Sequence, residues 1–141
     1  MSRIYLDPSF IVCLFVCQRM TDRAQIWLGA NRVTLIVSDF GAAEVSSAIS
    51  KFVRQRELSQ DEAERVLLRF DRWQIGSTVR RLTSPGDIAA CERLVRRFEL
   101  KLQAPDALHI AIALADGATL VTFDERQAQA MAGLGPCVVP T

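Results

Sequence analysis

The order of its segments constrains the fold of this chain more than any other feature, because short, apolar, β-rich runs alternate with segments that carry helix-start signals. The first run, RIYLD at 3–7, leads directly into Pro8, a residue suited to the first turn of a helix. Parallel strands are joined by crossovers that usually contain a helix. The alternation therefore predicts an α/β fold, with a parallel sheet covered by helices on both faces and right-handed connections.

Capping signals and residue patterns set the predicted boundaries. Ser38 and Ser84 can cap helices, Ser59 and Glu62 form a capping box, and Gly117 suits the end of a helix. The predicted strands are 3–7, 32–38, 77–83, 119–123 and 137–139. The predicted helices are 8–20, 22–30, 39–55, 59–74, 85–100, 103–117 and 125–132.

Composition and length agree with this fold class. Hydrophobic residues make up 50% of the chain and the mean hydropathy is +0.15, which favours strands that are buried on both faces. A chain of 141 residues is one domain by the usual length range, and a chain of this size buries roughly 70% of its unfolded surface. We therefore predict a single domain over residues 1–141.

The run FIVCLFVC at 10–17 imitates the hydrophobic region of a signal peptide. However, Asp7 precedes it, no small-residue cleavage site follows it, and its length is far too short to span a bilayer. The sequence therefore predicts a cytoplasmic protein that has no membrane segment.

The cysteines do not form a metal-binding pattern. None of the four belongs to a CxxC pair, and the single histidine is distant from them in sequence, so a zinc site is not expected. Cys13 and Cys17 are one helical turn apart in an apolar run, where cysteine behaves as a small hydrophobic residue. We expect buried, reduced thiols, which fit a reducing compartment. The other two cysteines are Cys91 and Cys137.

Charge gives a weaker signal. The formal net charge is +1, so bulk attraction to nucleic acid is not indicated. A mid-chain block that is rich in arginine leaves two interpretations open: its guanidinium groups clamp phosphates, or they lie on solvated helix faces. The block contains Arg54, Arg56, Arg65, Arg69, Arg72, Arg80, Arg81, Arg93, Arg96 and Arg97.

Three aspartates are expected at one edge of the sheet. Asp7 closes the first predicted strand, and Asp124 follows the strand at 119–123. If these strands are neighbours at a switch point, the two carboxylates lie about 5 Å apart at the carboxyl edge, where open parallel sheets bind ligands. Asp106 begins the helix that leads back into 119–123, so it belongs to the same edge.

Glu44 adds a fourth acid, in the second turn of the helix that follows the strand at 32–38. Asp39 is rotated by about 140° from Glu44 and is expected to cap the helix instead. Asp116 lies about 15 Å along its helix from Asp106 and is left out. Four acids at one edge raise each other's pKa values unless a cation is present. Because Mg²⁺ bridges carboxylates to phosphates, the cluster predicts metal-assisted hydrolysis of a phosphodiester.

Two other aspartate-based classes fit less well. A haloacid-dehalogenase-type phosphatase needs a second acid two residues after the aspartate of its first strand, and position 9 is serine. A receiver-like domain needs an acid pair at its first acidic position and a nearby lysine, and Lys101 is the only lysine in the second half of the chain. We discount both classes.

Four segments, taken in order, resemble the PIN-domain nucleases, especially VapC-type toxins of bacterial toxin–antitoxin pairs. They are IYLDPS at 4–9, AAEVSSAI at 42–49, APDALHIAIAL at 104–114 and LVTFDER at 120–126. The resemblance implies a three-layer α/β/α sandwich with a mostly parallel central sheet. It also implies an endoribonuclease that cleaves RNA by metal-activated water, with Mg²⁺ or Mn²⁺ as cofactor.

The resemblance assigns the catalytic and metal-binding roles to an acidic quartet. Ser9, placed as in the family's DxS pattern, and Thr122 would steady a metal ligand or its water. Pro8 replaces the threonine often found at its position, which a first helical position tolerates. The quartet consists of Asp7, Glu44, Asp106 and Asp124.

Some of these residues keep a second interpretation. Ser9 can be a simple helix-start hydroxyl, and Thr122 an ordinary strand residue. Glu125 adds a fifth carboxylate or only supports the helix dipole. His109, one turn from Asp106, pairs with it, contacts substrate, or is a packed and hydrogen-bonded histidine.

The resemblance also implies partners: an RNA substrate and a cognate antitoxin, one segment of which would lie in an apolar groove. The expected assembly is a homodimer or a toxin–antitoxin hetero-oligomer. Two alternatives stay open, namely a non-catalytic PIN-like module that binds RNA or protein, and a PIN ribonuclease of RNA processing without an antitoxin. Non-catalytic modules commonly lose some of the acids, whereas all four are present in this sequence.

Overall fold

The central sheet of the computed structural model confirms the predicted parallel α/β architecture. The structure describes residues 2–31 and 33–141, so Arg32, the first residue of one predicted strand, lies outside the described residues. The strands are β1 Arg3–Leu6, β2 Thr34–Ser38, β3 Val79–Arg81, β4 Thr119–Val121 and β5 Cys137–Val138. They lie in the order β3-β2-β1-β4-β5, and all neighbouring strands in the described chain are parallel.

Helices cover both faces of this sheet. They are α1 Pro8–Phe15, α2 Thr21–Ala30, α3 Asp39–Arg54, α4 Gln60–Ser77, α5 Pro85–Val95, α6 Ala104–Ala115 and α7 Glu125–Ala132. Successive strand residues point to opposite faces, so Ile4 and Leu6 pack with α1–α4, whereas Tyr5 packs with α5–α7. The result is the predicted three-layer sandwich. In the described residues, none of these helices has the length and apolarity needed to cross a bilayer.

The predicted helix-start signals are confirmed at three helices. The Ser38 side chain accepts a backbone N–H at the start of α3, and Ser84 does the same at the start of α5. Ser59 and Glu62 form the capping box of α4. At the other end of α6, Gly117 has a φ of 61°, the left-handed conformation that favours glycine just after a helix.

Two helices end earlier than the sequence predicts. α1 ends at Phe15 rather than at residue 20, because Val16 is extended (φ −121°, ψ 124°) and the Thr21 hydroxyl donates to its carbonyl at 3.3 Å. α5 ends at Val95 rather than at residue 100. A 3₁₀ turn at Phe98–Leu100 follows it, and the chain then turns at a left-handed residue.

The early end of α1 overturns one expectation about the cysteines. Cys13 and Cys91 are buried as expected, and Cys137 is partly buried, but Cys17 is exposed because it lies beyond the helix. The prediction of two buried thiols one helical turn apart is therefore wrong at Cys17. All four cysteines, which lie in the described ranges, are free thiols.

Candidate active site at the carboxyl edge of the sheet

The predicted switch point lies between β1 and β4. From β1 the sheet grows through β2 to β3 on one side, and the chain then returns to place β4 and β5 on the other side. Leu6 is paired with Val121, and the Asp7 N–H donates to the Val121 carbonyl at 2.9 Å. The strands that precede Asp7 and Asp124 are therefore neighbours, as predicted, and their carboxyl ends form the edge where such sheets bind ligands.

Asp7 is held firmly at this edge. It caps α1 and is 5% exposed. Its Oδ2 accepts the Ser9 N–H at 2.9 Å, and its Oδ1 accepts the Gln127 Nε2–H at 3.0 Å. Because each oxygen is fixed by one donor, the carboxylate has a defined orientation and keeps further lone pairs for a ligand.

Asp124 caps α7, which follows the adjacent strand β4. Its Oδ1 accepts the N–H groups of Arg126 at 3.0 Å and Gln127 at 3.2 Å. Two hydroxyls support its loop: Thr122 Oγ1 accepts the Asp124 N–H at 2.9 Å and lies 3.1 Å from Ser9 Oγ. Ser9 and Thr122 thus tie the start of α1 to the loop between β4 and α7, and this geometry is compatible with the supporting role predicted for them.

Asp106 lies in the first turn of α6, and its pKa reports its surroundings. Burial is the largest cause, and together with the charges of Asp124, Asp7 and Glu44 it raises that pKa to about 6. Such effects need short distances. The structure therefore brings Asp106 into the electrostatic reach of the other three predicted acids.

Glu44 is oriented differently from the aspartates. Its Oε1 is hydrogen-bonded to His109 Nε2, and its side chain is 33% exposed. His109 is almost fully buried, and its Nδ1 lies 2.6 Å from the Tyr5 hydroxyl. Of the interpretations given above for His109, the packed and hydrogen-bonded one is the one found, and its carboxylate partner is Glu44 rather than Asp106.

Sequence reasoning missed two residues of this site, Gln127 and Tyr5. Gln127 is fully buried on the inner face of α7, in the same stripe as Ala130 and Met131. A polar residue in an apolar stripe was the signal that could have revealed it. Its Nε2 donates to Asp7, while its Oε1 has no hydrogen-bond partner within the described part of the chain. Tyr5, the only tyrosine, interrupts an otherwise aliphatic strand.

The acids excluded from the cluster have other partners. Asp39 does not cap α3, since Ser38 does so; its Oδ1 instead accepts the Thr83 N–H at 2.9 Å and fastens the loop after β3. That part of the prediction was wrong. Asp116 forms an ion pair with Arg81.

Several arginines of the mid-chain block are already paired within the chain. Arg81 binds two carboxylates, while Arg96 pairs with Glu92 and Arg97 with Glu99 on the surface. Intramolecular pairing therefore accounts for the Arg81 guanidinium without a phosphate, whereas the exposed pairs of Arg96 and Arg97 leave both interpretations open.

The donor chemistry of the acid cluster fits a hard divalent cation. Carboxylate oxygens are the ligands that Mg²⁺ and Mn²⁺ prefer, and a cation offsets the repulsion that helps to raise the pKa of Asp106. In residues 2–31 and 33–141, however, no group of three or more His, Cys, Asp and Glu side chains already has an arrangement that could hold a metal ion. The residues suit the cation in kind, although one oxygen of Glu44 is hydrogen-bonded to His109.

Together, a parallel α/β/α sandwich and an acidic edge at its switch point define the class to which the chain belongs. The family model of the PIN domain matches residues 4–132. The chain therefore belongs to the PIN-domain family of nucleases, as the sequence motifs predicted. No curated protein sequence matches the chain significantly.

Solved structures with this fold include toxins of toxin–antitoxin pairs. VapC20 of Mycobacterium tuberculosis, a sarcin–ricin loop cleaving toxin, is 17% identical with a TM-score of 0.73, covering 90% of this chain and 94% of that one. VapBC2 of Rickettsia felis, bound to a fragment of its promoter DNA, is 18% identical with a TM-score of 0.71, covering 96% and 97%. A toxin–antitoxin complex from Klebsiella pneumoniae is 25% identical with a TM-score of 0.66, covering 98% of both chains.

Proposed function

We propose that this protein is a metal-dependent endoribonuclease, the toxin of a cytoplasmic toxin–antitoxin pair, formed by one domain over residues 1–141. The observation that carries the proposal is the convergence of Asp7, Asp106 and Asp124 at the switch point, which helps to raise the pKa of Asp106 to about 6. Membership of the PIN family supports nuclease chemistry. The sarcin–ricin loop that VapC20 cleaves supports RNA as the substrate class.

The quartet Asp7, Glu44, Asp106 and Asp124 would hold Mg²⁺ or Mn²⁺. When bound, such an ion acidifies water and offsets negative charge on a phosphodiester. The protein's own contribution is to hold its carboxylates in place: Asp7 through Ser9 and Gln127, and Asp124 through the N–H groups of α7. Fixed ligands reduce the reorganisation needed when substrate binds.

RNA cleavage by the wild type and by Asp7→Asn tests this proposal. Asparagine is as good a helix cap as aspartate, so the change removes a charge and leaves α1 capped. We expect the wild type to cleave ribosomal RNA with Mg²⁺ or Mn²⁺ and EDTA to stop the cleavage. The cleavage rate of Asp7→Asn should be lower by about 100-fold or more, which is equivalent to about 3 kcal/mol of transition-state stabilisation. Cleavage is followed on denaturing gels.

The matched control is Asp71→Asn, which removes an exposed carboxylate from α4 and should retain full activity. Equal, chelator-resistant cleavage by the wild type and Asp7→Asn would rule out the mechanism. A folded wild type that cleaves no RNA would instead favour the non-catalytic PIN module.

An antitoxin is the second part of the proposal. The Klebsiella pneumoniae and Rickettsia felis neighbours are toxin–antitoxin assemblies. A groove between α1 and α4 has the size to seat a partner segment, and its lining combines apolar side chains such as Phe15 and Val66 with the charged side chains of Glu62, Arg65 and Arg69. We expect expression of the chain alone to stop growth, and co-expression of the small reading frame next to its gene to restore growth and to yield a hetero-oligomer on light scattering. Growth arrest that no neighbouring reading frame relieves would favour an RNA-processing nuclease.

A further inference from the structure

We propose that His109 is a positioning residue of the acidic edge, which holds Glu44 through its Nε2–H and is itself held by the Tyr5 hydroxyl, which Ser38 orients. The proposal rests on the proposed function in one respect, since it takes Glu44 as a member of the metal-binding quartet. The assignment of the imidazole hydrogen stands on the structure alone.

A continuous line of hydrogen bonds joins four elements at the acidic edge, β2, β1, α6 and α3. The Tyr5 hydroxyl of β1 lies 2.7 Å from Ser38 Oγ at the end of β2 and 2.6 Å from His109 Nδ1 on α6. On the far side of the ring, His109 Nε2 is hydrogen-bonded to Glu44. Tyr5 and Ser38 are fully buried and His109 is 1% exposed, so water does not compete for these partners.

Counting donors and acceptors gives this line a direction. The Gly41 N–H donates to Ser38 Oγ at 2.8 Å. In the described chain the Ser38 hydroxyl has one other partner, Tyr5, so its hydrogen goes to the Tyr5 oxygen. The Tyr5 hydroxyl then donates to His109 Nδ1. Because Nδ1 is an acceptor, the ring hydrogen is on Nε2, where it points to Glu44.

The opposite direction leaves a buried donor unpaired. If His109 Nδ1 carried the hydrogen, it would donate to Tyr5, and Tyr5 would donate to Ser38. The Ser38 hydroxyl would then have no acceptor among residues 2–31 and 33–141, at a fully buried position. A buried hydroxyl donor without an acceptor is strongly disfavoured, which selects the first arrangement.

Packing fixes the position of the imidazole ring, just as the hydrogen bonds fix the position of its hydrogen. The rings of Phe40 and Tyr5 flank it, with centroids 5.4 and 5.7 Å away. α3 approaches closely because Gly41 has no side chain: a Cβ there would lie 3.1 Å from Ser38 Oγ and 3.8 Å from His109 Cε1. The donor that faces Glu44 therefore cannot turn away.

The hydrogen bond to His109 fixes one oxygen of the Glu44 carboxylate and leaves the other oxygen to take a ligand. Oε1 is bound to His109, and no hydrogen bond to Oε2 is found in the described residues. A carboxylate that is fixed at one oxygen loses less rotamer freedom when its second oxygen takes a ligand. Partners that orient ligands in this way commonly account for 10- to 100-fold in metal affinity or activity.

The position of the hydrogen can be measured directly, because His109 is the only histidine in the chain. Long-range ¹⁵N–¹H correlation spectra of the ¹⁵N-labelled protein at pH 7 should show a hydrogen on Nε2 and an unprotonated Nδ1. Tyr5→Phe, which keeps the ring and removes the hydroxyl donor, should keep the hydrogen on Nε2, where the Glu44 carboxylate still accepts it, and should move the Nδ1 resonance to that of an acceptor without a donor. A wild type with the hydrogen on Nδ1, or on both nitrogens, would overturn the assignment.

The positioning role is tested with Mn²⁺ and with RNA. His109→Leu keeps the volume but cannot donate, and we expect the apparent Mn²⁺ affinity, read from the rise in Tm without RNA, to fall about 10- to 100-fold. RNA cleavage should fall by a similar factor. His109→Gln retains an amide donor near the place of Nε2 and should recover part of both.

Ile112→Val is the matched control, since it trims a fully buried apolar side chain of the same helix and should change neither readout. If His109→Leu equals Ile112→Val in both, the positioning role is refuted even where the wild type cleaves RNA. If the wild type cleaves no RNA but His109→Leu weakens the Mn²⁺ response, the proposed function fails and the positioning role stands. Should His109→Leu not fold, His109→Phe, which also cannot donate and keeps an aromatic ring beside Tyr5 and Phe40, decides with the same Mn²⁺ measurement, and an unchanged response refutes the role.

Discussion

The Asp106→Asn variant is expected to be inactive on RNA and, without metal, more stable than the wild type. Asp106 lies in the first turn of α6, where burial and the carboxylates of Asp124 and Asp7 raise its pKa from 3.8 to about 6. At pH 7 the folded protein therefore holds an ionised carboxylate in a place that disfavours the charge. Asparagine removes that charge and keeps the size of the side chain.

The sign of the pH dependence follows from this pKa. Because the folded-state pKa of Asp106 lies above the unfolded one, ionisation lowers the free energy of unfolding above about pH 6 and has no effect below about pH 4. The rise in pKa corresponds to about 3 kcal/mol, which solvent screening and lost helix-dipole support reduce to about 1–2 kcal/mol. We expect Tm in EDTA to increase by about 3–6 °C at pH 7, and by much less at pH 4.

The effect of Mn²⁺ on Tm and the rate of RNA cleavage distinguish a functional carboxylate at Asp106 from a purely structural one. Mn²⁺ should raise the Tm of the wild type, since a ligand that binds only the folded state stabilises it, and Asp106→Asn should lose most of this rise along with RNA cleavage. Asp71→Asn, an exposed change on α4, should alter none of the three measurements. A variant that melts below the wild type in EDTA at pH 7 and still cleaves RNA would show that Asp106 only supports the helix dipole.

The order of elements was predictable because its signals are local. A short apolar run followed by Pro8, or by a capping Ser38, marks a strand that leads into a helix, and neither signal depends on distant residues. Parallel pairing and the switch point then follow from general rules of connection, which is why β1 and β4 were correctly expected to be neighbours. The approach of Asp106 to Asp7 and Asp124 follows from that topology.

Side-chain partnerships were much less predictable, because they depend on which elements pack together. Sequence spacing placed His109 one turn from Asp106, whereas the fold places Glu44 of α3 against its Nε2. Gln127 is 120 residues from Asp7 in sequence and contacts it only because β4, which leads to α7, pairs with β1, which leads to Asp7. No local pattern specifies either contact.

Helix ends were missed where turn chemistry competes with helix propensity. The apolar run through Cys17 favours a longer α1, but the Thr21 hydroxyl accepts the Gln18 N–H at 2.8 Å and binds the Val16 carbonyl, which stabilises a turn instead. The exposed position of Cys17 is a direct consequence.

Arg81→Met is expected to cause a large loss of stability at a site outside the acidic edge. The Arg81 guanidinium binds Asp87 through two nitrogens, at 2.7 and 3.0 Å, and its Nε lies 3.0 Å from Asp116 Oδ1. Asp87 also accepts the Ser84 N–H at the start of α5. One arginine thus joins β3 to the start of α5 and the end of α6, and methionine leaves two carboxylates close together without a counter-charge.

We expect this change to lower the free energy of unfolding by about 3 kcal/mol. Asp87 is 4% exposed and Asp116 13% exposed, so removal of the arginine leaves two largely buried carboxylates without a counter-charge. The hydrogen bonds from Arg81 hold the pKa of Asp87 below its ordinary value. That stabilisation is present above the unfolded pKa of about 4 and is lost as the pH falls through the lower folded pKa. Urea unfolding at pH 7 should therefore show the full difference in the free energy of unfolding between variant and wild type. This difference should become smaller in acid, where the unpaired carboxylates of the variant become protonated.

Arg80→Met provides the control on the adjacent residue of β3. Arg80 is exposed and its guanidinium donates to Gln74 at 3.1 Å, so Arg80→Met should lower the free energy of unfolding by no more than about 0.5 kcal/mol. Arg81→Lys should still lose a substantial part of the stability, since a single ammonium group cannot span both carboxylates as the planar guanidinium does. If Arg81→Met and Arg80→Met unfold at the same urea concentration at pH 7, the Arg81 network contributes nothing beyond a surface ion pair.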